Sequence, residues 1–434
     1  MPFLFALAFL LAAFTLPEAP DPDEGRRGTF AITNARIETV TNGVIERGAV
    51  VIRDGLIEAV GADVQAPADA EVIDGTGLTV YPGMIDGGTR LGLQEIGSLP
   101  ETRDFREIGE VTPHMQALAA VNPASTLIPI TRVSGVTTVL TAPTGGMMPG
   151  TAALISLQGY TPEQLDAGFR GVVLDFPSSA RRGWWDRRKP EEIEKQVTEA
   201  METLNETWEQ AVLWERIDAA YQAAPEPRPT REYVPEMEAL AAVVRREVPF
   251  LVEVDAAKDI TAAIAWAQEK NVRAVFVGVA EGWRVADELA EAGIPVVAGP
   301  VLALPTRNTD RYDRAYANPG LMRDAGVEVA LQTAEIENVR NLPYNAAYAA
   351  AYGMGRAAAL EAVTIVPARI FGVADRLGSI EAGKSATLFV ADGDPFETKT
   401  QVRHLFIDGY LMPMTSRQTA LYDEYLERTP GLAK

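Results

Sequence analysis

The chain holds two histidines, His114 and His404, and no cysteine. No thiolate nucleophile, thiolate metal site or disulfide is available. A metal centre built on three or more imidazoles cannot be assembled from one copy of this chain. There is no G-x-S-x-G nucleophile elbow, and neither histidine is placed to serve as the base of a serine triad. Carboxylates remain. Asp86, Glu253 in FLVEVD and Glu335 in ALQTAEIEN offer acid–base chemistry if the fold brings them together.

Other residues have a chemical reading and a plainer one. His114, in EVTPHMQAL, is either a substrate-contacting loop residue or a histidine making a local hydrogen bond. His404 sits in a terminal β segment and reads as structural or exposed. Gly145-Gly146 follows a strand-like run. Without a G-x-x-x-x-G-K-[ST] signature, the pair reads as a flexible βα loop rather than a phosphate cradle. RRGWWDRRK, residues 181–189, is the one basic, aromatic patch. It is either a solvated loop or a contact surface centred on Trp184 and Trp185, since aromatics and Arg are favoured at interfaces.

The elements that must position these groups follow from periodicity. Residues 29–81 read as β, with Asp54-Gly55 between apolar runs as a hairpin signal. A third short strand runs near Glu71 to Ile73. Over 82–372 apolar runs such as GVTTVLTAP, GVVLDF, FLVEVD, AVFVGV, IPVVAG and VEVALQT alternate with helical stretches. Such alternation implies βαβ units and a parallel sheet. Ile193, Val197, Met201, Leu204, Trp208, Val212 and Ile217 fall at helical spacing, which predicts a helical insertion at about 181–230. Strand-like segments return over 373–416, and 417–434 form a tail. The expectation is an α/β fold: a (β/α)8 TIM barrel with a composite β-sandwich domain formed from both termini.

The 434 residues are 47% hydrophobic and 23% charged, which is globular composition. Sixty acidic residues against 39 basic give a net charge of -21, so a nucleic acid partner is not expected. The opening MPFLFALAFLLAAFTL is shorter than a comfortable membrane span and resembles a signal-peptide core. No basic residue precedes it and no A-x-A site follows. Export to a periplasmic or other extracytoplasmic space is expected, an uncleaved anchor or a misplaced start being the alternatives. Residues 1–28 then comprise this segment and an acidic, Pro-rich tether.

Several stretches resemble the amidohydrolase superfamily, in particular imidazolonepropionase-like and related exported members. GAVVIRDGLIEAVG and VIDGTGLTVYPGMID look like its terminal strands leading into the first barrel strand; PARIFGVADRLGSIEAGKSATLFVADGDP and VRHLFIDGY look like its closing segment. The resemblance covers almost all of residues 30–412. It implies metal-assisted hydrolysis, with zinc held by an H-x-H pair on the first barrel strand, a His each on the fifth and sixth strands, and an Asp on the eighth.

This chain departs at each of those positions. Gly88 and Arg90 stand at the H-x-H pair, Glu253 at the fifth strand, Gly278 at the sixth and Ala334 (or Glu335, one residue on) at the eighth. Glycine and alanine carry no donor, and arginine is a fixed cation. No metal cofactor is therefore expected. Arg90 and Glu253 would face one barrel mouth, either as an ion pair or separately in water. The first expectation is a catalytically degenerate binding or structural subunit, self-associated or paired with an active amidohydrolase paralogue, with room for a small-molecule ligand. The alternative is an active hydrolase of non-peptide C–N bonds, such as cyclic amides, using Asp86, Glu253 and Glu335.

Overall fold

A computed structural model describes residues 25–181, 186–224, 226 and 232–428. The apolar N-terminal run expected to direct export, Trp184 and Trp185 lie outside the described residues. No helix among the described residues is long and apolar enough to cross a membrane.

The chain opens with β1 (Phe30–Glu38), β2 (Val44–Arg53), β3 (Leu56–Gly61), β4 (Glu71–Asp74) and β5 (Thr79–Pro82). Asp54 and Gly55, both at positive φ, make the two-residue turn that pairs Arg53 with Leu56. This is the mirror-image turn that suits strand twist. The barrel strands follow as β6 (Met84–Thr89), β7 (Val136–Thr141), β8 (Thr151–Ser156), β9 (Asp166–Asp175), β10 (Phe250–Val254), β11 (Ala274–Gly278), β12 (Val296–Ala298) and β13 (Val329–Leu331). Last come β14 (Leu388–Ala391), β15 (Val402–Ile407) and β16 (Tyr410–Met412). The end strands share one eight-stranded sheet, ordered β16-β15-β14-β5-β1-β2-β3 with β4 beside β1. Its core includes Phe30, Ile32, Ile52, Leu388 and Phe406, all 0% exposed.

The other sheet runs β13-β12-β11-β10-β9-β8-β7-β6. It is a nearly closed eight-stranded barrel. Past the end of β13 it is drawn together by Ala334 N–H donating to Gly88 O at 3.0 Å and Arg90 N–H donating to Glu335 O at 3.1 Å. The parallel-sheet expectation needs one correction. β8 runs antiparallel to both β7 and β9, and periodicity had not singled it out. The segments flanking β8 are too short for a parallel crossover, which takes a dozen or more residues. Gly145-Gly146 accordingly joins two antiparallel strands and is not a βα loop.

Strand parity sorts the side chains. Phe250, Val252 and Val254 of β10 join the core between barrel and helices, while Leu251 joins the interior with Ile85, Leu140, Val173 and Val297. Residues 251, 253 and 255 therefore share the inner face. The helix Ile365–Ile370 adds Ile365 and Val366 to the interior cluster. The insertion contains the helix Pro190–Ala223, begun by proline with Glu191 and Glu192 in the first turn. Its first two-thirds dock on the barrel. Trp208 lies 6.0 Å from both Phe250 and Trp266, ring centre to ring centre, and Trp266 Nε1 donates to Asn205 Oδ1 at 3.1 Å. Ile217, placed on the apolar face by spacing, is instead exposed, because the helix continues past the surface it packs on.

Candidate site at the barrel mouth

A cavity of about 360 Å³ opens on the face where β6, β10 and β11 end. Its apolar floor includes Leu140, Val173, Leu251 and Val277; its polar lining includes Arg90, Glu253, Asp255, Arg314 and Asn318. The loop after β12 contributes Val301 and Ala303, Leu304, Pro305 and Thr306 to the wall. It is tied down where buried Glu281 accepts from Thr306 Oγ1 at 2.9 Å and pairs with Arg307.

Glu253 enters the cavity from the fifth barrel strand, by the parity above. The residue is half-buried, and its carboxyl accepts no hydrogen bond from any described residue. Burial pushes its pKa up to about 7, with the negative charges of Asp175 and Asp255 adding to the rise and Arg90 opposing it. Burial also raises Asp255, which accepts from Ala280 N–H at 3.2 Å.

Arg90 reaches the same cavity from the end of the first barrel strand. Its guanidinium lies over the Phe105 ring at 5.3 Å and makes no ion pair with any described residue. The Arg90–Glu253 pair is therefore not formed. The two are held on strands across the barrel from each other, and Phe105 takes the cation's face.

The remaining candidates separate. Asp86 is 0% exposed and does not line the cavity. It follows inward-facing Ile85 and is turned the other way. Its carboxylate accepts from Gly88 N–H at 3.1 Å, Thr333 N–H at 3.0 Å and Thr333 Oγ1 at 2.6 Å. Burial nevertheless raises its pKa to about 7. Glu335 is exposed and outside the lining. The shared site of Asp86, Glu253 and Glu335 is thus not assembled. His114 is likewise outside the cavity lining, its Nδ1 3.8 Å from Glu236 Oε1. His404 lies on β15 opposite Val390, in the terminal sheet.

Gly88, Gly278 and Ala334 do line the cavity. The geometry there does not suit a metal. A β-carbon at position 88 would meet Gln332 Oε1, the end of a side chain, and Gly278 sits at a positive φ of 85°, which residues with side chains rarely adopt. Gln332, missed by sequence reasoning, is buried and anchored by Nε2 donating to Gly299 O at 3.1 Å. Its side chain fills the space above Gly88. Among the described residues no three His, Cys, Asp or Glu side chains converge as ligands. Asn318 and Trp283 were also missed. Asn318 Oδ1 accepts from Trp283 N–H at 2.8 Å, and the Trp283 ring carries Arg314 at 4.7 Å. No motif distinguishes them, since both sit in loop or helix context set by tertiary packing.

Comparison with known proteins agrees with this architecture. The amidohydrolase family profile matches residues 79–412. An amidohydrolase designated tasK from Hapsidospora irregularis is 24% identical over 396 residues, which is 83% of this chain but 39% of that protein. An imidazolonepropionase from Mesorhizobium japonicum is 40% identical over 76 residues, 15% of this chain and 19% of that protein. The chain thus spans well under half the length of these curated relatives in the matched regions. An amidohydrolase structure from Thermotoga maritima MSB8 superposes with a TM-score of 0.76 at 27% identity, covering 88% of this chain and 99% of that one. With three-quarters of its length inside the family profile, this chain belongs to the amidohydrolase family.

Proposed function

We propose that this chain is a non-hydrolytic member of its family that binds a small molecule at the barrel mouth, as a binding or structural subunit. The observation that carries the reading is Gln332, whose amide occupies the space above Gly88 where the resemblance places the first metal-binding imidazole. Arg90, two residues on, adds a fixed positive charge that opposes a bound cation. The cavity, with an apolar floor and Arg90, Glu253, Asp255, Arg314 and Asn318 in its lining, has the character of a ligand site. Elemental analysis of purified protein, with assays on cyclic amides and imidazolones, tests this. The expected result is substoichiometric zinc and no turnover; stoichiometric zinc with turnover would overturn it.

One observation favours the second reading, an active C–N hydrolase. Glu253, a cavity-lining carboxyl with a pKa of about 7, has the character of a general acid or base. Turnover lost in Glu253→Gln and indifferent to chelators would establish that reading in place of the first.

The subunit reading extends to partners and location. It has the chain exported and assembled with itself or with a family member that retains its H-x-H pair. Light scattering, co-purification with such a paralogue and N-terminal sequencing of the protein from cell fractions test these points separately.

A further inference from the structure

We propose that the cavity selects a small bifunctional ligand whose ammonium group meets Glu253 and whose carboxylate meets Arg90, an ω-amino acid with a methylene chain between. This rests on the reading of the barrel mouth as a binding site and names its ligand class.

Arg90 and Glu253 line one cavity together with Asp255, which accepts from Ala280 N–H, and Arg314, which lies over the Trp283 ring. Glu253 is half-buried, and its carboxyl accepts no hydrogen bond from any described residue. Arg90 has a ring contact at 5.3 Å but no hydrogen bond or ion pair from its guanidinium to any described residue. Both line the cavity, and they do not meet each other. A ligand carrying one charge would satisfy one end and leave the other desolvated, which costs free energy.

The two charges enter the cavity from opposite sides. Arg90 follows the first strand of the eight and Glu253 lies on the fifth, with no ion pair formed between them. A ligand with its charges at the two ends of a chain suits this placement better than one with charges on adjacent carbons. Between them the floor is Leu140, Val173 and Leu251, which suits a hydrocarbon linker rather than a polar one. The polar groups fix the two ends, and the apolar floor fixes what joins them.

Isothermal titration calorimetry with glycine, 4-aminobutyrate, 5-aminopentanoate and 6-aminohexanoate tests the proposal, with pentanoate and pentylamine as singly charged controls. One of the longer amino acids is expected to bind at least about tenfold more tightly than either control, each charged contact being a charge-assisted hydrogen bond. Glu253→Gln should abolish the preference over pentanoate, and Arg90→Met the preference over pentylamine. The controls on the unaltered protein decide the matter even where a variant folds poorly. Controls binding as tightly as the amino acids, or no binding across the series at millimolar concentration, would overturn the inference. Zinc measured on the same sample separates the two claims. Stoichiometric zinc beside selective binding overturns the non-hydrolytic reading alone; neither zinc nor binding overturns this inference alone.

Discussion

Thr333 donates both its hydroxyl and its backbone N–H to the Asp86 carboxylate, at 2.6 and 3.0 Å, and so ties the first barrel strand to the segment leaving the last. The barrel sheet does not pair β13 with β6 along their lengths. The bond therefore stands at the seam where an eight-stranded sheet must close. Four predictions follow from this and neighbouring contacts.

Asp86→Ala leaves the N–H groups of Gly88 and Thr333 buried without acceptors. The expected loss is about 2–4 kcal/mol, from unpaired buried donors. Asp86→Asn retains an acceptor and should lose much less. Urea unfolding of both variants measures this, and equal losses would contradict a role for the carboxylate as seam acceptor.

Stability should fall as pH rises between about 4 and 7, the sign set by two raised carboxyls. Folding moves Asp86 from 3.8 to about 7 and Glu253 from 4.5 to about 7. The folded state thus holds protons that the unfolded chain releases in this window. Asp175, Asp255 and Arg90 face Glu253, and Glu335 acts on Asp86. The combined variant Asp86→Asn, Glu253→Gln should flatten the melting temperature across this range; an unchanged slope would assign it to other groups.

Gly88→His should destabilise the protein by about 1–3 kcal/mol, because it forces bulk into filled space. Gln332→Ala in the same chain should recover part of that loss. Calorimetric melting of the single and double variants gives the coupling, and strict additivity would mean that Gln332 does not oppose the imidazole.

Trp208→Ala should cost about 3–5 kcal/mol, as for a large aromatic removed from a core. Asn205→Ala, which removes the acceptor of Trp266 Nε1, should cost about 1 kcal/mol. A small effect of Trp208→Ala on unfolding would mean that the long helix docks weakly and is free to serve as an interface instead.

Much of the fold was legible along the chain. The Asp54-Gly55 turn needs only local backbone preference, and the alternation of apolar runs with helices reports burial on two faces of each strand. β8 escaped because a short apolar segment flanked by loops carries no mark of its direction. The candidate site was legible in part. Glu253 and Arg90 do line one cavity, but Asp86 belongs to the seam, Glu335 lies outside, and Gln332 went unnoticed because a lone glutamine has no motif.

Residue identities alone established the scarcity of imidazoles: that the chain holds two histidines is a matter of counting. Which acids face the cavity is another kind of fact. It turns on inward or outward parity at the end of a strand, and on contacts between residues as far apart as Asp86 and Thr333, 247 positions along the chain. Local preferences act over a few residues. Closing a barrel joins its ends, and that closure set which carboxyl is held in the seam and which faces the cavity.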